Sequence, residues 1–125
     1  MAKNSDYTIL TVDDSPSIRA MLAYTLNEAG YQTEGAENGA EALKKASANK
    51  SDLVIMDINM PVMNGIEAIG KLRQMADYRH APILVLSTES HSALKQQGKE
   101  AGATGWIVKP FDPDILIKAM KRLLH

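Results

Sequence analysis

The sequence predicts an α/β fold with a doubly wound, five-stranded parallel sheet in (βα)5 order. Three observations predict it. Short apolar runs rich in branched residues alternate with stretches of helical spacing, the runs are nearly continuous in their apolar character, and no linker or low-complexity tract separates off a second unit. Near-continuous apolar strands need cover on both faces, and right-handed crossovers then make the sheet parallel. One domain over residues 1–125 is expected, since that length suits a single hydrophobic core.

The elements follow in order. "TILTV" at 8–12 is too short for a helix and reads as the first strand. Ile18, Leu22, Leu26 and Ala29 then recur at helical spacing, with Asp14 or Ser15 as the cap, Pro16 in the opening turn and Gly30 to close. "YQTEGA" at 31–36 is weaker and alternating, as an edge strand would be. Ala42, Leu43 and Ala46 mark the second helix, and "LVIM" at 53–56 the third strand. Ile66, Ile69, Leu72 and Met75 predict the third helix; "ILVL" at 83–86 is the fourth strand. A fourth helix is expected around Leu94 to Ala101, a fifth strand in "WIV" at 106–108, and a last helix carrying Ile115, Leu116, Ala119, Met120 and Leu123. Asp112 and Pro113 repeat the capping device of the first helix.

Fourteen Lys and Arg against fifteen Asp and Glu give a net charge of -1, so no excess of positive charge draws the chain to nucleic acid or to a membrane surface. Cysteine is absent, which excludes disulfides, thiolate metal sites and cysteine nucleophiles together. No secretory signal or membrane-spanning run is present, and a cytoplasmic protein is expected.

Ligands of such sheets bind outside the carboxyl ends of the strands. The apolar runs end in Asp13 and Asp14, in Asp57, in Ser87 and Thr88, and in Lys109. Singly, each aspartate is an ordinary turn or capping residue. Together they crowd three carboxylates at one edge, where two such charges ~4 Å apart repel by about 4 kcal/mol at an effective dielectric of ~20. Lys109 offsets one charge, and a hard divalent ion such as Mg2+ would offset the rest. A carboxylate beside two cations is placed to attack phosphorus, which makes Asp57 the candidate nucleophile and Ser87 a donor to a phosphoryl oxygen.

The acidic pair in "VDDS", the aspartate in "MDINMPVMNG", the hydroxyl in "VLSTES" and the lysine in "VKPF" resemble the motifs of response-regulator receiver domains, over essentially the whole chain. The resemblance implies a flavodoxin-like, CheY-like fold and a phosphorylation switch of a two-component system. A histidine kinase would phosphorylate Asp57, Asp14 and Asp57 would ligate Mg2+ with the backbone carbonyl of Asn59, and Asp13 would act mainly through water. Ser87 and Lys109 would read the phosphoryl group, and Trp106 stands where the family carries its switch aromatic, usually Tyr or Phe. Asn64 replaces the common aspartate before Gly65.

The sequence ends soon after the last helix, so output is expected through the fourth helix, fifth strand and fifth helix of a monomer. The stretch from "STES" through "KPFDPDIL" is similar to chemotaxis-type receivers, which implies a chemotaxis kinase as donor, the flagellar motor switch protein as target and a phosphatase as a further partner. Two alternatives remain. One is a stand-alone receiver in a sporulation or developmental relay; the other is a phosphatase of the haloacid dehalogenase type. The latter resembles Asp-x-Asp at its nucleophile, and Asn59 cannot supply the second acid. His80, His91 and His125 have no metal-ligand spacing and read as solvated surface residues, the methionines as core filler, and "KQQGKE" as either a solvated helix face or part of the switch surface.

Overall fold

The computed structural model describes residues 3–124, and His125 lies outside them. Five strands form one parallel sheet: β1 (Thr8–Val12), β2 (Gln32–Ala36), β3 (Leu53–Met56), β4 (Ile83–Ser87) and β5 (Gly105–Val108). Five helices alternate with them: α1 (Pro16–Glu28), α2 (Gly39–Ala48), α3 (Gly65–Arg73), α4 (Ser92–Ala101) and α5 (Pro113–Leu123). The strand order is β2-β1-β3-β4-β5, so the direction of winding reverses between β1 and β3.

Alternate residues of each strand point to opposite faces, and each face has its own core. Leu10, Val12, Val54, Met56 and Val85 pack against α2 and α3 through Ala42, Ala46, Ala68, Ile69 and Leu72. Ile9, Leu53, Ile55 and Leu86 pack against α1 and α5 through Leu22, Leu26, Leu116 and Met120. Burying a side chain of leucine size stabilises by roughly 1.5–3 kcal/mol, so these two layers hold the sheet rigid beneath its loops.

Local signals set most of the boundaries. Ser15, not Asp14, caps α1 by accepting from the Ile18 N–H, and Asp112 caps α5 from the Asp114 and Ile115 N–H groups. The third helix ends at Arg73, short of Met75, which is extended but still packs on the core. A 3-10 turn, Ala76–Tyr78, follows and buries Tyr78 completely. Its hydroxyl accepts from the Ser51 N–H at 2.9 Å and faces the carbonyls of Ala46 at 3.0 Å and Asn49 at 3.3 Å. Tyr78→Phe strips a buried amide of its acceptor. It is expected to lower unfolding stability by about 1–3 kcal/mol in urea titration, and an unchanged midpoint would show that water replaces the hydroxyl.

Candidate functional site

The reversal between β1 and β3 opens the crevice in which the sequence places its acids. Asp13 and Asp14 follow β1 and Asp57 follows β3. The ladder continues through both ends, the Asp13 N–H donating to Ala36 O at 3.1 Å and the Asp57 N–H to Val12 O at 2.9 Å. Asp13 and Asp57 are buried and Asp14 is exposed, yet the three offer carboxylate oxygens within 4.8 Å of one another.

Lys109, after β5, reaches in from the other side. Its Nζ lies 2.7 Å from Asp13 Oδ2 and 3.5 Å from Asp57 Oδ1. Burial pulls the ammonium down, but the close contact with Asp13 and the charges of Asp57 and Asp13 outweigh it, leaving Lys109 above the ordinary lysine value. Asp57 shifts the same way for the opposite reason. Burial pushes its carboxyl above the usual carboxylate range and Asp13 adds to the rise, while Lys109 and the Ile58 N–H, 2.8 Å from Oδ1, pull back only in part.

Asp13 is pinned on three sides. Its Oδ1 accepts from the Ser15 N–H at 3.0 Å, and its backbone carbonyl accepts from Arg19 Nη1 at 2.6 Å. Its Oδ2 is buried and meets Lys109 at ion-pair distance, off the direction of a hydrogen bond and with no other donor. Arg19 carried no motif in the sequence, because an arginine that grips a carbonyl looks like any helix-surface arginine.

The loop after Asp57 is shaped by contact with α3. Asn64 caps that helix from the Glu67 N–H, as the aspartate it replaces would. The Gly65 N–H donates to Ile58 O at 3.0 Å, and a Cβ at Gly65 would lie 2.0 Å from the Asp57 carbonyl oxygen. Only glycine permits that approach. Asn59 is exposed on this loop, and Val62, 82% exposed, takes a φ of 70° beneath a Met63 N–H to Pro61 O bond of 2.7 Å. That conformation is strained for a branched residue.

Ser87 ends β4 and is fully buried. Its Oγ accepts from the Glu89 N–H at 3.1 Å, and the Glu89 carbonyl accepts from Trp106 Nε1 at 2.8 Å. Ser87 pairs with Val108 across the sheet, whereas Trp106 pairs with Val85, so the serine and the indole meet through Glu89 and not side by side. The ring is half-buried against α4, where a Cβ at Gly98 would come 2.8 Å from Trp106 Cζ3. Surface crevices of about 220 and about 250 Å3 flank Trp106, the first bordered by Lys95 and Lys99 of "KQQGKE".

His80 is exposed, as expected. His91 is exposed too but has a local task, its Nδ1 capping α4 from the Leu94 N–H at 3.4 Å. Asp13, Asp14, Asp57 and Lys109 therefore come together, while Ser87 and Trp106 form a second strand of contacts beside them. The donor set is hard oxygen throughout, and one buried carboxylate oxygen lacks a hydrogen bond, which suits a divalent cation. No helix among the described residues is long and apolar enough to cross a membrane.

Comparison with known proteins identifies the family. The model of the response regulator receiver domain matches residues 9–121. Chemotaxis protein CheY of Thermotoga maritima is 40% identical over 116 residues, spanning 92% of this chain and 95% of that protein. The chain spans about half the length of the curated transcriptional regulators it also matches. The structure of chemotaxis protein CheY4 of Vibrio cholerae has a TM-score of 0.91 and 49% identity, covering 94% of this chain and 98% of that one. Response regulator protein TrrA of Thermotoga maritima, solved in complex with Mg(2+)-BeF, has a TM-score of 0.85 and 42% identity, covering 94% and 99% of the two chains. With a family match across nearly all of the sheet and helices that hold these carboxylates, the chain belongs to the response regulator receiver domains, the signalling switches of two-component systems.

Proposed function

We propose that the chain accepts a phosphoryl group on Asp57 from a histidine kinase, in a Mg2+-dependent reaction, and thereby changes its affinity for a partner. One observation carries this reading: three carboxylates within 4.8 Å of one another at the sheet's carboxyl edge, two of them shared by Lys109. Asp13, Asp14, Asp57 and the Asn59 carbonyl would hold Mg2+, which when bound supplies positive charge to the phosphoryl oxygens. A carboxylate oxygen of Asp57 attacks phosphorus in line with the bond to the donor's imidazole nitrogen, and that bond breaks. Lys109 stabilises charge on the transferred group, and its ion pair with Asp13 keeps the ammonium aimed at Asp57. Incubation with acetyl phosphate and Mg2+ followed by mapping of the modified residue tests the assignment; label on any other acid, or turnover of a phosphomonoester in its place, would overturn it.

The switch we read in Ser87, Glu89 and Trp106. If the Ser87 hydroxyl turns to a phosphoryl oxygen, the Glu89 N–H loses its acceptor and the loop that carries the Trp106 bond is released. A shift from 1:99 to 99:1 needs about 5.5 kcal/mol of bias, and a smaller bias gives a partial switch. Beryllofluoride, a phosphoryl mimic, is expected to change Trp106 emission in the parent and to have little effect in Ser87→Ala. Equal changes in both would separate the serine from the switch.

Among receiver functions, we assign the chain to chemotaxis, as a cytoplasmic monomer with the flagellar motor switch protein as its target. Its support is the likeness to chemotaxis proteins over nearly their full lengths. A beryllofluoride-loaded chain that binds the motor switch protein no better than the unloaded chain would instead place it in another relay.

A further inference from the structure

At the opposite edge of the sheet from the carboxylates, Arg73 gathers four pieces of chain. Its Nη1 donates to Tyr78 O at 2.7 Å and Ala81 O at 2.6 Å, and its Nε and Nη2 donate to Gly102 O at 3.1 and 2.7 Å. A longer contact of 3.5 Å runs from Nη2 to Thr104 Oγ1, which itself accepts from the Ile83 N–H at 3.0 Å. The guanidinium has no carboxylate partner among the described residues, so its charge is committed to carbonyls, including the one at the C-terminal end of α4. Gly102 takes a φ of 116°, and a Cβ there would lie 2.9 Å from Arg73, so the joint between α4 and β5 is fitted to this side chain.

The remainder of α4 is held lightly. Its sole buried residue is Gly98, Leu94 and Ala101 being only partly buried against the core, and its N-terminal end carries an exposed histidine cap and follows the loop of Ser87 and Glu89. Trp106 lies two residues beyond Thr104 and packs on Gly98, one turn before Gly102. One end of α4 is therefore clamped and the other is tied to the proposed phosphorylation site.

We propose that Arg73 is a positioning residue, the pivot about which α4 swings when Asp57 is phosphorylated. The proposal rests on the receiver reading above and adds which end of α4 stays fixed. Lysine keeps the charge but replaces a rigid five-donor fork with a single ammonium, so Arg73→Lys loosens the pivot without touching the acidic crevice.

The test compares parent and Arg73→Lys, each with Mg2+, with and without beryllofluoride, by Asp57 labelling from acetyl phosphate and by acrylamide quenching of Trp106. Labelling is expected to stay within about twofold of the parent, while resting quencher access rises about twofold and the response to beryllofluoride falls to under about half. Parent-like quenching and response in Arg73→Lys would overturn the pivot; so would a loss of labelling in step with the response, which would place Arg73 in the phosphorylation chemistry. Failure of the parent to label at Asp57 defeats the receiver reading itself and is thus told apart. Amide exchange in the parent supplies a measurement that needs no variant. Protection at Gly102 and Thr104 is expected to be unchanged by beryllofluoride while that at Ser92 to Leu94 changes, and a uniform change along α4 would overturn the pivot.

Discussion

Asp57→Asn is expected to bring acetyl phosphate labelling to background and, without metal, to make the protein more stable at neutral pH. Loss of label follows from removal of the proposed nucleophile. The gain in stability follows from the shift of the carboxyl. Folding raises the Asp57 pKa, chiefly by burial and then by Asp13, so the folded state holds this proton more tightly than the unfolded chain. Between the unfolded and the folded pKa, folding takes up a proton, and stability falls as pH rises through that window and remains lower above it. The amide cannot ionise and escapes that loss. Urea titrations should show the variant ahead at pH 7 and the two proteins converging as pH drops below the ordinary aspartate value of about 4. A variant less stable than the parent at pH 7 would mean that the Asp57 contact with Lys109 outweighs its burial.

Gly65→Ala and Gly70→Ala are expected to act in opposite directions although both lie in α3. At Gly65 the new methyl meets backbone, 2.0 Å from the Asp57 carbonyl oxygen and 3.0 Å from Ile58 Cα. Flexible side chains can yield; these atoms cannot without moving the loop. Overpacking of ordinary side chains costs about 1–3 kcal/mol, and a backbone clash this close should meet or exceed the upper figure. Because the displaced atoms belong to Asp57 itself, labelling by acetyl phosphate should slow as well. A Cβ at Gly70 meets nothing within 4 Å, and there alanine should stabilise by up to about 1 kcal/mol through helix propensity. Paired denaturation curves decide the matter, and equal effects at the two positions would show that the β3–α3 loop gives way freely.

The acidic crevice was legible because each of its residues ends an apolar run, and the pleated strands bring such ends to one edge. The strands were legible for the same reason: "LVIM" and "ILVL" have no polar residue to place on a wet face. What escaped was contact with backbone. Arg73, Arg19 and Glu89 act on or through main-chain groups, which every residue possesses and no sequence pattern marks. Met75 escaped differently. It keeps the apolar spacing of α3 and still packs on the core, but the helix ends two residues earlier, so periodicity reported burial correctly and secondary structure wrongly. Ile115 shows the converse, helical but 56% exposed beside the crevice that borders Trp106.

The fit between Trp106 and Gly98 also constrains which residues this corner of the molecule can accept. The ring fills the volume that any side chain at position 98 would enter, so the two positions share a single space. Alanine at 98 would strengthen α4 by about 1 kcal/mol in propensity, but it would evict the indole. A smaller ring at 106 would leave a gap beside a helix that still lacks its methyl. Neither change is neutral alone, and either single change leaves this corner poorly packed. A change at either position therefore calls for a compensating change at the other.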